Sequence, residues 1–173
     1  IGEIGLDYYR DHTTPQQQED ALCPQLELAA MHQLPVIIHS RKAEQKLVEL
    51  VVSDRFSDVK GVFHAFEGSQ QQAAALTSHG YLIGAGGQIT YKKNEYHRQL
   101  FASIPLSAMI LETDAPFLSP QQLRGTRNEP ANIPIIANLA ASLQNVSLPE
   151  FAHQTTMNVR KFFQRITCYR KAV

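Results

Sequence analysis

Four short apolar runs in this sequence carry, within them or just after them, side chains that can hold a metal ion or move a proton. Glu3 and Asp7 belong to Gly2-Glu3-Ile4-Gly5-Leu6-Asp7, His39 follows Val36-Ile37-Ile38, and His64 follows Gly61-Val62-Phe63. Glu112 and Asp114 follow Met109-Ile110-Leu111. A lone histidine after an apolar run is usually a hydrogen-bonded structural residue, but four placements of one kind argue for a shared site. Imidazole and carboxylate together suit Zn²⁺, Mn²⁺ or Fe²⁺, and Mg²⁺ where waters complete the shell. A cation held this way acidifies a bound water and neutralises charge on a substrate. The same residues also allow acid/base catalysis without a metal, by His39 or His64 with Asp114. A serine nucleophile is not expected, because the sequence has no G-x-S-x-G elbow.

These side chains need elements to position them. Five apolar runs, at 1–6, 35–39, 61–66, 81–86 and 108–111, are too short for helices and most are rich in Ile, Val or Leu. Between them, helical spacing stripes 42–53 with Leu47, Leu50 and Val51, and 69–79 with Ala73, Leu76 and Thr77, with Gly80 as a stop. Leu100 and Ile104 predict another helix after Asn94, and Pro24 is expected to kink or divide the helix between Pro15 and Gln33. Two further helices follow Pro130 with no strand between them, the second opening on the capping box Ser147-Leu148-Pro149-Glu150. The alternation predicts an α/β protein with a parallel sheet covered on both faces. Two architectures fit, an open doubly wound sheet or part of a (β/α)8 barrel, and in both the chemistry gathers at the strand carboxyl ends. Gly84-Ala85-Gly86-Gly87 is a weak imitation of a dinucleotide fingerprint and reads better as a tight turn beneath an active site.

The rim of such a site would carry Lys92, Lys93, Arg124 and Arg127, and the arginine fork is well shaped for phosphate. Asn128-Glu129-Pro130 reads as a device that caps and orients the next helix. Asp7 either holds a ligand histidine from behind or ends its strand. Arg160, Lys161, Arg165, Arg170 and Lys171 read as a solvated helix face and tail.

Composition narrows the class. The chain has 173 residues, 43% hydrophobic and 18% charged, with a formal net charge of +0. That apolar content without net charge excludes intrinsic disorder. No apolar run approaches the ~18 residues of a membrane span. Charge-driven nucleic-acid binding would show a basic excess, so any nucleic-acid role must rest on a local site. Two cysteines, Cys23 and Cys168, cannot form a disulfide framework, which points to the cytoplasm. The chain opens at Ile1 without Met or a signal peptide, and its true N-terminus is expected upstream. One domain spanning 1–173 is expected, with no linker.

Five segments, in order, resemble the TatD family of metal-dependent deoxyribonucleases: Gly2-Glu3-Ile4-Gly5-Leu6-Asp7, Pro35-Val36-Ile37-Ile38-His39-Ser40-Arg41, Phe63-His64-Ala65-Phe66, Leu111-Glu112-Thr113-Asp114-Ala115-Pro116 and Arg127-Asn128-Glu129-Pro130. The resemblance implies a TIM-type (β/α)8 barrel of which this chain holds about strands 4 to 8. The first three strands and a His-x-His pair are missing, since Ile1–Asp7 matches the fourth strand; a typical barrel takes ~250 residues. It implies two divalent metal ions (Mg²⁺, Mn²⁺ or Zn²⁺), with Glu3 bridging them and His39, His64 and Asp114 as single ligands. Asp114 would also help activate the attacking water, and Glu112 would orient the site, which makes these two the catalytic pair. Lys92, Arg124 and Arg127 are the candidates for substrate binding. The implied activity is hydrolysis of DNA phosphodiester bonds, as a 3′–5′ exonuclease on single strands or 3′ ends. Two alternatives stay open: a barrel hydrolase of a small ester, lactone or amide, and an inactive or partner-completed chain. An incomplete barrel is also expected to self-associate through its open edge, and to be unstable or weak in metal binding when alone.

Overall fold

The computed structural model describes residues 1–10 and 12–164; Cys168, Arg165, Arg170 and Lys171 lie outside the described residues. Each of the five apolar runs overlaps a strand, and the first two strands run past the ends of theirs: β1 (Ile4–Asp7), β2 (Val36–Arg41), β3 (Gly61–Phe63), β4 (Leu82–Ala85) and β5 (Met109–Leu111). All four pairings are parallel, and the spatial order β1-β2-β3-β4-β5 repeats the chain order. A doubly wound sheet reverses its strand order at a switch point. The unreversed order seen here is that of a barrel segment.

Helices fill the intervals: α1 (Pro15–Met31), α2 (Glu44–Val51), α3 (Gln70–Ser78), α4 (Glu95–Ser103), α5 (Ile133–Leu143) and α6 (Leu148–Phe162). Capping boxes open two of them, Thr14 with Gln17 on α1 and Ser69 with Gln72 on α3. Each box satisfies backbone donors that the first turn leaves free. Ser147 caps α6 by accepting from the Glu150 N–H, the backbone half of the box read from the sequence. Gly80 ends α3 with φ +82°, a conformation that suits a residue without a Cβ. Pro24 sits inside α1 without dividing it, so no second helix starts there.

The expectation of two covered faces needs correction. β3 and β4 are buried throughout, but β1 and β2 alternate. Val36, Ile38 and Ser40 of β2 are buried, while Ile37, His39 and Arg41 on the other face are more open. Successive side chains of a strand point to opposite faces, so the open face collects Glu3, Gly5 and Asp7 from the β1 segment beside His39 and Arg41. The other face packs on the helices, with Leu6, Leu22, Leu26, Ile38 and Leu47 all fully buried. The helices thereby anchor the sheet from one side and leave strand-end polar groups accessible on the other.

Candidate metal centre

Strand register brings the first histidine to the first carboxylates. β1 and β2 pair with Gly5 opposite His39 and Asp7 opposite Arg41. The strands come so close at Gly5 (φ +156°) that a Cβ there would overlap the His39 carbonyl oxygen. His39 therefore stands between Glu3 and Asp7. Its Nδ1 lies 3.0 Å from Glu3 Oε1, and its Nε2 lies 3.4 Å from Asp7 Oδ2. His64, just beyond β3, completes the group: its Nε2 is 2.9 Å from Glu3 Oε1 and 3.1 Å from His39 Nδ1. Three donor atoms thus form a triangle with sides of 2.9 to 3.1 Å. Donors that share one cation at ~2.0–2.2 Å stand ~2.8–3.1 Å apart at right angles and ~3.3–3.6 Å apart at tetrahedral angles, and this triangle matches the former. Glu3, His39 and His64 fit a metal ion in both spacing and donor type.

Behind them, β4 and β5 place Glu112. Its carboxylate accepts from the Ala65 N–H at 2.6 Å, one residue past His64. Room for it comes from the glycine run: an ideal Cβ on Gly84 would fall 2.6 Å from Glu112 Cδ. The run expected to be a tight turn is instead the end of β4 (Gly84, Ala85) passing into a 3-10 turn from Gly87, and there the sheet makes space for a carboxylate. Burial pushes the Glu112 carboxyl up from its ordinary range; the Ala65 amide and His64 oppose this, and Asp114 and Glu3 reinforce it. Asp114 is therefore near enough to act on Glu112 by charge, but it is not among the three clustered donors. Its backbone oxygen accepts from the Phe117 N–H, which shapes the loop after β5.

Asp7 uses both oxygens. Oδ2 faces His39, while Oδ1 accepts from the backbone N–H groups of Tyr9 (2.9 Å) and Arg10 (3.3 Å). Burial raises its carboxyl, but those two amides and His39 bring it net below the usual range. Asp7 thus remains ionised, as a residue orienting a histidine must.

The rim candidates divide. Arg124 stacks on Tyr91 with 4.5 Å to the ring centroid, and the Lys92 N–H donates to Gln121, so Lys92 and Arg124 share one corner. Arg127 is exposed in the same loop, with no hydrogen bond or ion pair among the described residues. Asn128 is 1% exposed and holds that loop to the next turn: Nδ2 donates to the Phe117 carbonyl, and Oδ1 accepts from the Glu129 N–H and from Asn132. It orients the start of α5 by this bridge rather than by capping it. A stack of Arg41 on Tyr9, 3.7 Å from guanidinium to ring centroid, was missed from the sequence. Strand alternation could have found Arg41, two residues past His39 and so on the same face. A groove of about 410 Å³ lies beside the cluster, lined by residues that include Tyr8, Lys42, Glu44, Glu67 and Tyr96 but none of the three clustered donors.

A parallel β/α sheet of barrel order, with imidazole and carboxylate donors gathered at its strand ends, defines the class of barrel proteins with a strand-end candidate metal centre. Residues 1–164 match the profile of the family described as TatD related DNase, and the chain belongs to that family. It is 34% identical over 164 residues to a Bacillus subtilis protein named "Uncharacterized metal-dependent hydrolase YabD", covering 95% of this chain and 64% of that protein. It is 35% identical over 168 residues to the "3'-5' ssDNA/RNA exonuclease TatD" of Erwinia tasmaniensis, covering 94% of this chain and 65% of that protein. The crystal structure of YJJV, a TatD homolog from Escherichia coli K12, superposes with a TM-score of 0.87 at 35% identity, over 93% of this chain and 62% of that one. The chain thus spans less than two thirds of the length of these relatives. Its five parallel strands match that portion of the TatD barrel structures. No helix among the described residues is long and apolar enough to cross a membrane.

Proposed function

We propose that this chain carries the metal-dependent hydrolytic site of a deoxyribonuclease that cuts phosphodiester bonds of single-stranded DNA from a 3′ end. The observation that carries this reading is the triangle of Glu3, His39 and His64, whose donor atoms stand 2.9 to 3.1 Å apart at the strand carboxyl ends. Family membership and the single-strand exonuclease name of the Erwinia relative support the choice of substrate. Glu3, His39 and His64 would hold a divalent cation (Mg²⁺, Mn²⁺ or Zn²⁺), with Asp114 as a further ligand and Glu3 shared with a second ion. Bound there, a divalent cation supplies Lewis-acid polarisation of a phosphate and lowers the pKa of water.

The chain's own groups do the rest. Asp7 holds the His39 ring with Nδ1 turned toward Glu3. Asp114, near Glu112, accepts the proton of the attacking water. Glu112 is fixed by the Ala65 amide and keeps that water oriented. Lys92, Arg124 and Arg127 neutralise phosphates at the rim. The outer edge of β1, where the Gln18 side chain bonds the Asp7 N–H and C=O, is otherwise a surface through which isolated chains associate, read by sedimentation of residues 1–173. The test of the activity is cleavage of a 3′-labelled single strand by the chain with Mn²⁺ or Mg²⁺, against hydrolysis of small carboxylic esters and lactones. Ester hydrolysis without strand cleavage would hand the assignment to the small-molecule alternative.

A further inference from the structure

An aromatic ring ringed by cations stands beside the metal centre. Tyr9 is 52% exposed, and three cationic groups lie over its ring: Arg41 at 3.7 Å from the centroid, Lys42 at 5.0 Å and Arg10 at 5.9 Å. Among the described residues, the side-chain nitrogens of these three find no carboxylate and no hydrogen-bond acceptor. Other cations are neutralised: Lys46 by Glu19, Arg55 by Glu27 and Arg98 by Glu95. The cluster is fixed to the site on both sides. Arg41 is the last residue of β2, two past His39, and the Tyr9 and Arg10 amides bind Asp7, whose other oxygen faces His39.

We propose that Tyr9, Arg10, Arg41 and Lys42 form a docking platform for one nucleotide of the strand, next to the bond that is cut. This rests on the phosphodiesterase reading above and specifies how the site selects a polynucleotide. Base–aromatic stacking tolerates any base, and the planar donor fork of Arg41, stacked on the ring, is left free for a phosphate oxygen. A small ester or lactone offers neither a base nor a phosphate to this platform. Beyond β4 and β5, Tyr91 and Arg124 form a second Tyr–Arg stack of the same kind.

The test is fluorescence anisotropy of a labelled oligothymidylate binding to residues 1–173 in EDTA, titrated over salt. Tyr9→Leu is expected to weaken binding on the order of tenfold, with its salt dependence unchanged and Tyr9→Phe restoring it. Arg41→Gln is expected to lower the slope of log K against log salt by ~0.7, the loss of one phosphate contact on a single strand. An abasic oligonucleotide should no longer distinguish Tyr9→Leu from wild type but should still respond to Arg41→Gln. Lys161→Gln, on the exposed end of α6, is the surface control. Wild-type affinity in Tyr9→Leu, or equal losses in all variants including Lys161→Gln, would overturn the platform while leaving the nuclease reading standing. A wild-type chain that neither binds the oligonucleotide nor cuts it with Mn²⁺ would overturn both.

Discussion

Replacing Gly5 by Ala tests how the site is assembled. A Cβ at Gly5 would overlap the backbone carbonyl of His39, and backbone in a paired strand cannot swing aside as a side-chain tip can. Overpacking of this kind costs ~1–3 kcal/mol, and a side chain forced to positive φ costs ~1–3 kcal/mol more. Together they amount to ~2–6 kcal/mol of a total stability of ~5–15 kcal/mol. At ~2–4 °C per kcal/mol for a chain of this size, the midpoint should fall by roughly 5–20 °C. Gly125 supplies the internal control, because it also has positive φ (+87°) but nothing lies within 4 Å of its Cβ position. Gly125→Ala therefore isolates the conformational cost, and the difference between the two variants is the clash. Both are measured by thermal and urea unfolding without added metal. A Gly5→Ala midpoint no lower than that of Gly125→Ala would refute the claim that close approach of β1 to β2 sets the site.

Four further outcomes are expected. Mn²⁺ or Zn²⁺ should raise the wild-type melting temperature, with ~2.7 kcal/mol gained at a hundredfold excess over Kd; in His39→Ala and His64→Ala the shift should shrink or vanish. In a version of the protein that is active, Asp114→Ala should lower the rate of strand cleavage by ~10²–10⁴, whereas Lys161→Ala should leave it near wild type; equal losses would indicate binding by charge alone. Burial lowers the pKa of His97, with Glu67 opposing, so the unfolded chain takes up the proton first on acidification. Stability from a neutral His97 is therefore complete above the unfolded value of ~6.5 and lost as pH falls through and below it; urea midpoints at pH 7.5 and 5.5 should converge in His97→Phe relative to wild type. Finally, Asn158→Leu should cost ~2–4 kcal/mol in urea unfolding, because Nδ2 donates to both the Leu106 and Met109 carbonyls and its loss strands two acceptors.

The strands and most helices were legible because their signals are local. Short Ile/Val runs, the Ser147 cap of α6 and Gly80 after α3 each act within a few residues. His39, His64 and Glu3 were legible as a group because every one sits at or beside a strand, where fold geometry forces convergence. What escaped is what depends on the third dimension. Nothing in the spacing of Ala65 and Glu112 announces that a backbone amide at one site holds a carboxylate 47 residues later. Pro24 looked like a helix breaker because its missing N–H is read locally, whereas the packed face of α1, with Leu22 and Leu26 fully buried, keeps the helix continuous. The half-open second face of β1 and β2 was hidden for the same reason: Ile37 reads as core, but no element among the described residues covers it. Asp114 lies three residues past β5, in a loop rather than a strand, and stands outside the three clustered donors.

The pairing of Gly5 with His39 and Asp7 with Arg41 also bears on how the chain avoids misfolding. A slip of β1 by one residue would turn Glu3 and Asp7 to the helix side and drive Ile4 and Leu6 into the open face. Both carboxylates that contact His39 would then be lost at once. A cation bound by Glu3, His39 and His64 would therefore act as a proofreader of strand register, rewarding only the correctly aligned sheet. One inserted residue in β2 ahead of His39 would read out as loss of metal-dependent stabilisation before any loss of helix content. The same three side chains that serve the chemistry would thus certify the assembly on which it stands.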